Sequence, residues 1–298
     1  MSARRAMVAL TLFAGTSVAL AAAGQQFRTS VTGVSVHASV RRNGAPVTGL
    51  TAADFSLRDS GRLQEITAVS PGPLPLDVTL VVEQRGTDDP PIRDYYREMT
   101  EAIGALSKDD RLRVISAGSD AWELVPLGNA PRPRIAGIAP PRPSASGSVF
   151  DALTAALVRS APPGRQHVVI LMTSAVDPSS LVHFEDLERI ILRSDAQLHV
   201  VLDRPIERVP LTHRPRSAGN DAGSQLWTLA RQTGGDRIWD AIVGRSIEKP
   251  VQKVFDSLRA GYILYYTPAS AEPGWRPIEV TVAREGRYEV RARAGYIH

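Results

Sequence analysis

The clearest structural signal in the sequence is the run Val168-Val169-Ile170-Leu171-Met172, in which five consecutive residues are apolar. A strand with one wet face alternates apolar and polar residues, whereas an unbroken apolar run is typical of a strand that is covered on both faces. The run Val78-Thr79-Leu80-Val81-Val82 has nearly the same character. Strands of this kind occur in parallel sheets with helices on both faces, so these runs predict an α/β fold.

Helical and strand patterns alternate on either side of these two runs. Apolar residues spaced three and four apart predict helices near residues 96–106, 150–157, 187–191, 226–229 and 247–258. Short apolar stretches predict further strands at residues 112–115, 122–127, 198–202 and 262–266. This alternation predicts a doubly wound, mostly parallel sheet that occupies residues 73–267.

A small β module is predicted before this domain, over residues 24–72. Val34, Val36, Ala38 and Val40 alternate with polar neighbours, as a half-buried strand requires. Asn43-Gly44 then predicts a tight hairpin turn, because both residue types tolerate a positive φ. The prolines at 71, 73 and 75 predict a stiff linker to the α/β domain.

A β hairpin is predicted after the α/β domain, over residues 268–298. Apolar residues alternate at 278, 280 and 282 and again at 288, 290, 292 and 294. Glu285-Gly286 lies between the two stretches and predicts the turn of the hairpin.

The first 23 residues predict a Sec-type signal peptide. Arg4 and Arg5 precede an uncharged apolar stretch over residues 6–20, and Ala21-Ala22-Ala23 supplies small residues for cleavage. The alternative is an uncleaved anchor, since residues 6–23 are only just long enough to cross a bilayer. We expect a secreted or periplasmic protein, with no membrane span after signal cleavage.

Composition excludes several functional classes. The 298 residues contain no cysteine, which rules out disulfide scaffolds, thiolate zinc sites, iron–sulfur clusters and thiol nucleophiles. Lys and Arg exceed Asp and Glu by four, and by only two once Arg4 and Arg5 are removed. This excess is too small to indicate nucleic acid or an anionic membrane as a partner.

Motifs of common enzyme classes are absent from the sequence. It contains no G-x-S-x-G, no H-E-x-x-H, no phosphate-binding loop and no G-x-G-x-x-G after a predicted strand. The six histidines are scattered, and His167 and His199 flank predicted strands as structural residues do. We therefore expect a protein that is not an enzyme and needs no cofactor.

Seven segments, in this order, resemble the von Willebrand factor A-related proteins of secreted bacterial type. They are residues 42–55, 63–66, 76–87, 147–153, 168–177, 262–268 and 290–296. The resemblance covers nearly the whole mature chain. It implies a metal-ion-dependent adhesion site at the carboxyl ends of the parallel strands, where D-x-S-x-S, a Thr and a late Asp hold Mg²⁺ and a partner's carboxylate completes the coordination.

The chain departs from this implied ligand set at nearly every position. Glu83 stands in place of the first Asp, Arg85 and Thr87 in place of the two Ser, Ser148 in place of the Thr, and Ser174 in place of the late Asp. Arg85 has no lone pair to give and stays charged. We therefore predict that no metal binds at the standard position.

Arg85 has two possible roles. It can form an ion pair with Glu83, Asp151 or Asp177 and fill the vacated space. Alternatively, it can receive a partner's carboxylate in place of the metal, because arginine binds carboxylates in a bidentate manner. In the second case Arg132, Arg134 and Arg142 would extend the positive rim, because they lie in the loop over residues 128–147 that leads into Ser148.

The sequence as a whole predicts a secreted or periplasmic module for protein binding or adhesion that works without a metal. The predicted binding rim consists of Glu83, Arg85, Thr87, Ser148, Ser174 and Asp177. The partner is an unknown protein that is expected to present an acidic side chain. The alternatives are a magnesium-dependent adhesion domain, an extracytoplasmic enzyme with an unrecognised site on the same rim, and a structural relic without a specific surface.

Overall fold

A computed structural model describes residues 33–71, 74–84, 101, 103–129, 147–162, 164–173, 175, 177, 179–202, 222–238, 248–270 and 272–297. The signal peptide, Arg85, Thr87, Ser174 and most of the predicted helix at 96–106 lie outside these residues, as do Arg132, Arg134 and Arg142.

The strands, in chain order, are β1 (Val34–Arg42), β2 (Ala45–Pro46), β3 (Phe55–Asp59), β4 (Arg62–Gln64), β5 (Ile66–Pro71), β6 (Leu76–Glu83), β7 (Arg111–Ala117), β8 (Ala121–Gly128), β9 (Gln166–Thr173), β10 (Gln197–Leu202), β11 (Arg237–Ile238), β12 (Tyr262–Tyr266), β13 (Trp275–Val282), β14 (Glu289–Ala292) and β15 (Gly295–Ile297). The helices are α1 (Val149–Leu157), α2 (Phe184–Arg193), α3 (Ala222–Gln232) and α4 (Glu248–Arg259). Short 3₁₀ turns lie at Ala52–Asp54 and Ile103–Ala105.

A six-stranded sheet forms the middle of the chain, in the order β11-β10-β9-β6-β7-β8. The pairs from β11 to β7 are parallel, and β8 joins β7 antiparallel at the edge. The mixed α/β architecture agrees with the prediction. The antiparallel edge follows from sequence, because only Gly118, Ser119 and Asp120 separate β7 from β8 and such a short turn can only reverse the chain.

Apolar side chains cover both faces of this sheet. Leu80 and Val82 of β6 lie in one cluster with Phe255 and Leu258 of α4. Val81 lies in a second cluster on the opposite face, which the apolar sides of α1, α2 and α3 complete. This arrangement explains why β6 and β9 are almost wholly apolar, since neither of their faces contacts water.

The two ends of the chain build a β-sandwich together. One sheet has the order β14-β1-β12-β5, with β2 paired to β1, and the other has the order β15-β13-β3-β4. Strands from the first part of the chain therefore lie between strands from the last part. The two sheets enclose a shared apolar core that includes Val36, Leu57, Leu264 and Val280.

This arrangement differs from the predicted organisation in two respects. Tyr262–Tyr266 is a strand, but it pairs antiparallel with β1 and β5 in the sandwich and not with the central sheet. The predicted C-terminal hairpin does not form, because β13 pairs with β3 and β15 whereas β14 pairs with β1. Alternation reports that one face of a strand is buried, but it does not report which neighbour buries it.

Local turn signals were more reliable than strand pairing. Asn43 and Gly44 both have positive φ, at 53° and 80°, and join β1 to β2. Ser60 and Gly61 turn the chain in the same way between β3 and β4. Such turns depend on two adjacent residues alone, which is why the sequence predicts them correctly.

The sandwich contacts the α/β part of the chain through β14 and the segment that joins it to β15. The Arg291 guanidinium forms an ion pair with Asp236, and the Ala294 amide donates to the Gln232 carbonyl at 2.8 Å. Arg293 donates to the Ser194 carbonyl at 3.3 Å. In the described ranges, no helix is long and apolar enough to cross a membrane.

Candidate functional site

The strand order of the central sheet indicates where a ligand would bind. Numbered within this sheet alone, the strands run 3-2-1-4-5-6, and the order reverses between β6 and β9. Open α/β sheets bind ligands outside the carboxyl ends of the strands at this reversal. Glu83 ends β6 and Thr173 ends β9, so both lie at that position.

A hydrogen bond joins these two strand ends. The Thr173 hydroxyl donates to Glu83 Oε2 at 2.6 Å and accepts from the Ala175 amide at 2.9 Å. The Thr173 hydroxyl therefore fixes one oxygen of the Glu83 carboxylate. Sequence reasoning missed Thr173, although a hydroxyl residue that directly follows a buried apolar run was a usable signal.

Ser148 lies next to Glu83 at the same edge. Its amide donates to the Gly118 carbonyl, and the Gln84 amide donates to the neighbouring Ala117 carbonyl, both at 2.8 Å. The Ser148 side chain is fully buried, and its Oγ has no hydrogen-bond partner among the described residues. A buried hydroxyl without a partner is uncommon, because it forfeits its hydration without replacement.

The loop after β9 caps helix α1. Phe150 N donates to Ser180 Oγ at 3.0 Å and to Asp177 Oδ2 at 3.2 Å, and Asp151 N donates to Ser180 Oγ at 3.1 Å. Ser148 occupies the N-cap position but makes no side-chain capping bond. The Asp177 carboxylate thus accepts a hydrogen bond from an amide at the start of α1, where the helix dipole also favours a negative charge.

Asp151 completes the connection in the opposite direction. Its carboxylate accepts from Val182 N at 2.9 Å and from Leu181 N at 3.0 Å. Ala175, in the same loop, has a positive φ of 63°, a conformation that costs a non-glycine residue free energy and that clusters at functional sites. Side chains that follow β9 therefore bind backbone amides of α1, and the Asp151 side chain of α1 binds backbone amides that precede α2.

These residues define the carboxyl-edge site, which consists of Glu83, Ser148, Thr173, Asp177 and Ser180. The predicted residues Glu83, Ser148 and Asp177 come together there, and Thr173 and Ser180 are additions from the structure. The other three predicted rim residues, Arg85, Thr87 and Ser174, lie outside the described residues.

Mg²⁺ requires a near-octahedral set of oxygens. Three positions of the implied ligand set, Arg85, Thr87 and Ser174, lie outside the described residues. Among the described oxygens, the Thr173 hydroxyl donates to Glu83, and the Asp151 and Asp177 carboxylates accept from backbone amides. Within the described ranges, no three His, Cys, Asp or Glu side chains group closely enough to hold a metal ion.

Three solved structures show what this chain is similar to. The conserved hypothetical protein BatB from Bacteroides thetaiotaomicron aligns over 61% of this chain and 98% of its own, at 14% identity and a TM-score of 0.43. The von Willebrand factor type A structure from Catenulispora acidiphila covers 82% of this chain and 73% of its own, at 11% identity and a TM-score of 0.42. The manganese-loaded TRAP protein from Plasmodium vivax covers 80% and 97%, at 15% identity and a TM-score of 0.42.

No protein-family model matches the chain, and no curated protein does. At these identities and TM-scores the three structural likenesses carry no conclusion about chemistry.

Proposed function

We propose that this chain is an extracytoplasmic protein-binding module of von Willebrand A type. Its partner docks at the carboxyl-edge site, and binding does not require a divalent cation. The proposal rests on the resemblance in sequence and on one structural observation, the Thr173–Glu83 hydrogen bond between the ends of β6 and β9.

This hydrogen bond supports a binding role because it prepares a carboxylate at the strand reversal. A preformed acceptor costs less ordering entropy when a partner binds than a mobile one does. Asp177 and Ser180 are also held against the start of α1, because both accept from the Phe150 amide. Rigid edges with a few oriented polar groups suit recognition of a protein surface.

Metal independence is supported by how the acidic side chains are used. The carboxylates of Asp151 and Asp177 accept backbone amide hydrogens, and that of Glu83 accepts from Thr173. In the sequence, Arg85 lies two positions after Glu83. A permanently charged guanidinium repels Mg²⁺ at short range. In this proposal Arg85 receives an acidic side chain of the partner.

The decisive experiment is a pull-down from the native envelope with residues 24–298 as bait, in 5 mM EDTA and in about 5 mM Mg²⁺ (both chosen as saturating conditions). We expect the same partner in both buffers. Thr173→Val keeps the shape of the side chain but removes the hydroxyl, and it should weaken capture about tenfold, equivalent to about 1.4 kcal/mol. Glu185→Ala, on the exposed start of α2, is the matched control and should have no effect.

Other outcomes separate the alternatives. Loss of the partner in EDTA would favour the magnesium-dependent adhesion domain. A heat of binding for Mg²⁺ or Mn²⁺ in calorimetry would favour the same alternative. Unchanged capture by both Arg85→Ala and Thr173→Val shows that the partner binds elsewhere. Turnover of a small substrate that is abolished by Ser148→Ala favours the enzyme alternative.

The extracytoplasmic location is part of the same proposal. It is supported by Arg4, Arg5 and the apolar stretch that follows them. N-terminal sequencing of the protein from culture medium and periplasm should give a start close to Gly24. A full-length protein that stays with the membrane fraction would instead indicate an uncleaved anchor.

A further inference from the structure

The contact between the sandwich and the α/β part of the chain has no apolar core within the described residues. Each apolar cluster there lies inside one of the two parts, and none of them spans the contact. The contact includes the polar interactions described above, namely the Arg291–Asp236 ion pair and the hydrogen bonds from Ala294 to Gln232 and from Arg293 to Ser194. We call this contact the joint. A polar interface permits motion between two folded parts more readily than a large apolar one does.

His199 lies on the α/β side of the joint and contacts one of its ion-pair residues. Its side chain is buried, and its Nδ1 atom accepts a hydrogen bond from the Asp236 amide at 3.3 Å. The Asp236 carboxylate pairs with Arg291 of β14 across the joint. A protonated histidine carries a hydrogen on both ring nitrogens, so a proton on Nδ1 would face the Asp236 N–H and break this hydrogen bond. Protonation of His199 therefore acts directly on a residue of the joint.

His37 repeats this arrangement on the sandwich side of the joint. It lies on β1, and the charged groups that face it are the Arg293 guanidinium and the Asp195 carboxylate. Asp195 is already engaged, because it accepts from the Ala161 amide at 3.2 Å and pairs with His167 Nδ1 at 3.0 Å. Each side of the joint thus combines a histidine, an arginine and an aspartate.

Uncharged groups complete the surroundings of the two histidines. His37 lines a small cavity whose other polar walls come from β9, β10 and α4, through Gln166, Gln197 and Ser257. Tyr262 of β12 lines the same cavity, and its hydroxyl donates to the Val47 carbonyl at 2.8 Å. The charges that face His199 are those of the ion pair across the joint. A proton on either histidine therefore meets a guanidinium, and the aspartate beside it is already engaged.

These surroundings make the closed joint resist protonation. Burial and the Arg293 charge together lower the pKa of His37 to about 4, against an opposing effect of Asp195. Burial likewise lowers the pKa of His199 to about 4. A histidine that is exposed to water binds a proton near pH 6.5. Between about pH 6.5 and pH 4 an open joint therefore binds protons that the closed joint does not, and a falling pH favours opening.

We propose that the joint is an acid-operated switch, in which protonation of His37 and His199 separates the sandwich from the α/β part while both parts stay folded. The two histidines act together because each faces an arginine of the same short segment, residues 291–293. Between pH 7 and pH 5 each histidine favours opening about 20-fold, and the two together favour it about 400-fold.

The switch is separate from the carboxyl-edge site. β9 begins at Gln166 and β10 begins at Gln197, and both residues line the cavity beside His37. The joint therefore lies at the amino ends of the central strands, whereas the carboxyl-edge site lies at their other ends. Operation of the switch does not depend on the function proposed above.

Amide hydrogen exchange of residues 24–298, followed by NMR between pH 7 and pH 5, tests the switch. The Ala294 amide reports the joint, because it donates to the Gln232 carbonyl across it. Amides of β9 and β12 report whether the α/β part and the sandwich stay folded. After correction for the intrinsic effect of pH on exchange, the protection of Ala294 should fall about 400-fold from pH 7 to pH 5. Ala294 should exchange faster than the β9 and β12 amides, and low concentrations of urea should not change its rate, because a local opening exposes little surface.

Variants of the histidines show whether they operate the switch. His37→Gln and His199→Asn remove the titrating groups, and the asparagine keeps an acceptor for the Asp236 amide. Each single variant should reduce the pH effect on Ala294 to about 20-fold, and the double variant should leave less than about twofold. His183→Gln is the matched control, because His183 is exposed at the start of α2, and it should keep the full effect.

A second readout on the wild-type protein covers the case in which a variant does not fold. The imidazole resonances of His37 and His199 should titrate over the same pH range in which Ala294 loses its protection.

Four results would overturn the inference. Unchanged protection of Ala294 between pH 7 and pH 5 would show that acid does not open the joint, and a full pH effect in the double variant would assign the opening to other groups. Loss of protection in β9, β12 and Ala294 at one common rate would indicate global unfolding. An Ala294 amide that is already unprotected at pH 7 would show that the joint is open in neutral solution.

Discussion

At the scale of single residues, Asp59 connects the two sheets of the sandwich. Its carboxylate is fully buried, pairs with Arg276 at 3.0 Å, and accepts from the hydroxyls of Tyr266 at 2.9 Å and Tyr296 at 3.1 Å. Burial raises the pKa of Asp59, but these hydrogen bonds outweigh burial and leave the pKa below its usual value. Burial and the same contacts raise the pKa of Tyr266.

Asp59→Ala should destabilise the protein strongly. The substitution leaves the Arg276 guanidinium buried without a partner, which costs about 3–5 kcal/mol. Urea unfolding followed by circular dichroism measures the loss. Asp186→Ala, which breaks an exposed pair with Arg189, is the matched control and should cost less than about 1 kcal/mol. Equal costs for the two variants would contradict this role of Asp59.

His199 makes the stability of the fold depend on pH. Its side chain is 4% exposed, and its Nδ1 accepts from Asp236 N at 3.3 Å. Burial lowers the pKa of His199 to about 4, the Asp236 carboxylate opposes this, and Arg291 lowers the pKa further. The folded protein therefore resists a proton that the unfolded chain accepts near pH 6.5.

Stability should fall as the pH drops from about 6.5 to about 4. In this window the unfolded chain binds the His199 proton and the folded chain does not, so the loss amounts to about 3 kcal/mol at about 1.4 kcal/mol per pKa unit. Above the window both states are neutral at this residue, and the contribution is fully present. His199→Asn keeps an acceptor for Asp236 N and should flatten the pH dependence of the urea midpoint by this amount. Parallel pH profiles of the urea midpoint for the wild-type protein and His199→Asn would contradict this role of His199.

At the scale of elements, helix α1 depends on a cap from another part of the chain. Ser180 Oγ accepts from Phe150 N and Asp151 N, whereas Ser148 in the N-cap position makes no capping bond. A cap of this kind is invisible in the sequence around the helix. It also links Ser180, which follows β9 in the chain, to the start of α1.

Ser180→Ala should destabilise the protein by about 1 kcal/mol, the usual cost of losing an N-cap acceptor. The neighbouring Ser179→Ala is the control. The backbone amide of Ser179 donates to the Gly147 carbonyl, and alanine keeps this amide. Thermal unfolding measures both variants, and the midpoint of Ser180→Ala should be lower by a few degrees. Identical midpoints would show that Asp177 alone suffices as the cap.

At the scale of the whole molecule, the chain builds one sandwich from both of its ends. Strand β1 lies between β14 and β12, and β3 pairs with β13 on one side and β4 on the other. Strands β1, β3 and β5 therefore lack neighbours until the last strands have been made. Such pairing closes a very long loop, which slows folding more than it reduces stability.

Deletion of residues 268–298 should unfold the sandwich. β1 would lose β14, β3 would lose β13, and the apolar core between the sheets would be exposed. Amide hydrogen exchange is the measurement, and amides of β1 and β3 should exchange nearly as fast as in an unfolded chain. Amides of β9, which is buried between β6 and β10, serve as the internal reference. Retained protection in β1 and β3 would refute this dependence.

The central strands, helices α1 to α4 and the tight turns could be predicted from the sequence. Runs such as Val168–Met172 and pairs such as Asn43-Gly44 act through burial and backbone geometry over a few residues, and their signals are local. The assignment of Glu83, Ser148 and Asp177 to one edge came from the family resemblance, which implies a site at the carboxyl ends of the parallel strands.

The pairing of the strands and the hydrogen bonds between distant side chains became visible in the folded structure. The apolar stretch of β12 and the alternation in β13 and β14 fit many sheet positions, so the partners of these strands depend on packing between distant parts of the chain. The Thr173–Glu83 bond and the Ser180 cap arise in the same way. Hydrogen bonds between residues 30 or 90 positions apart leave no mark on the sequence near either of them, because their free energy is realised only when the folded chain brings the two groups together.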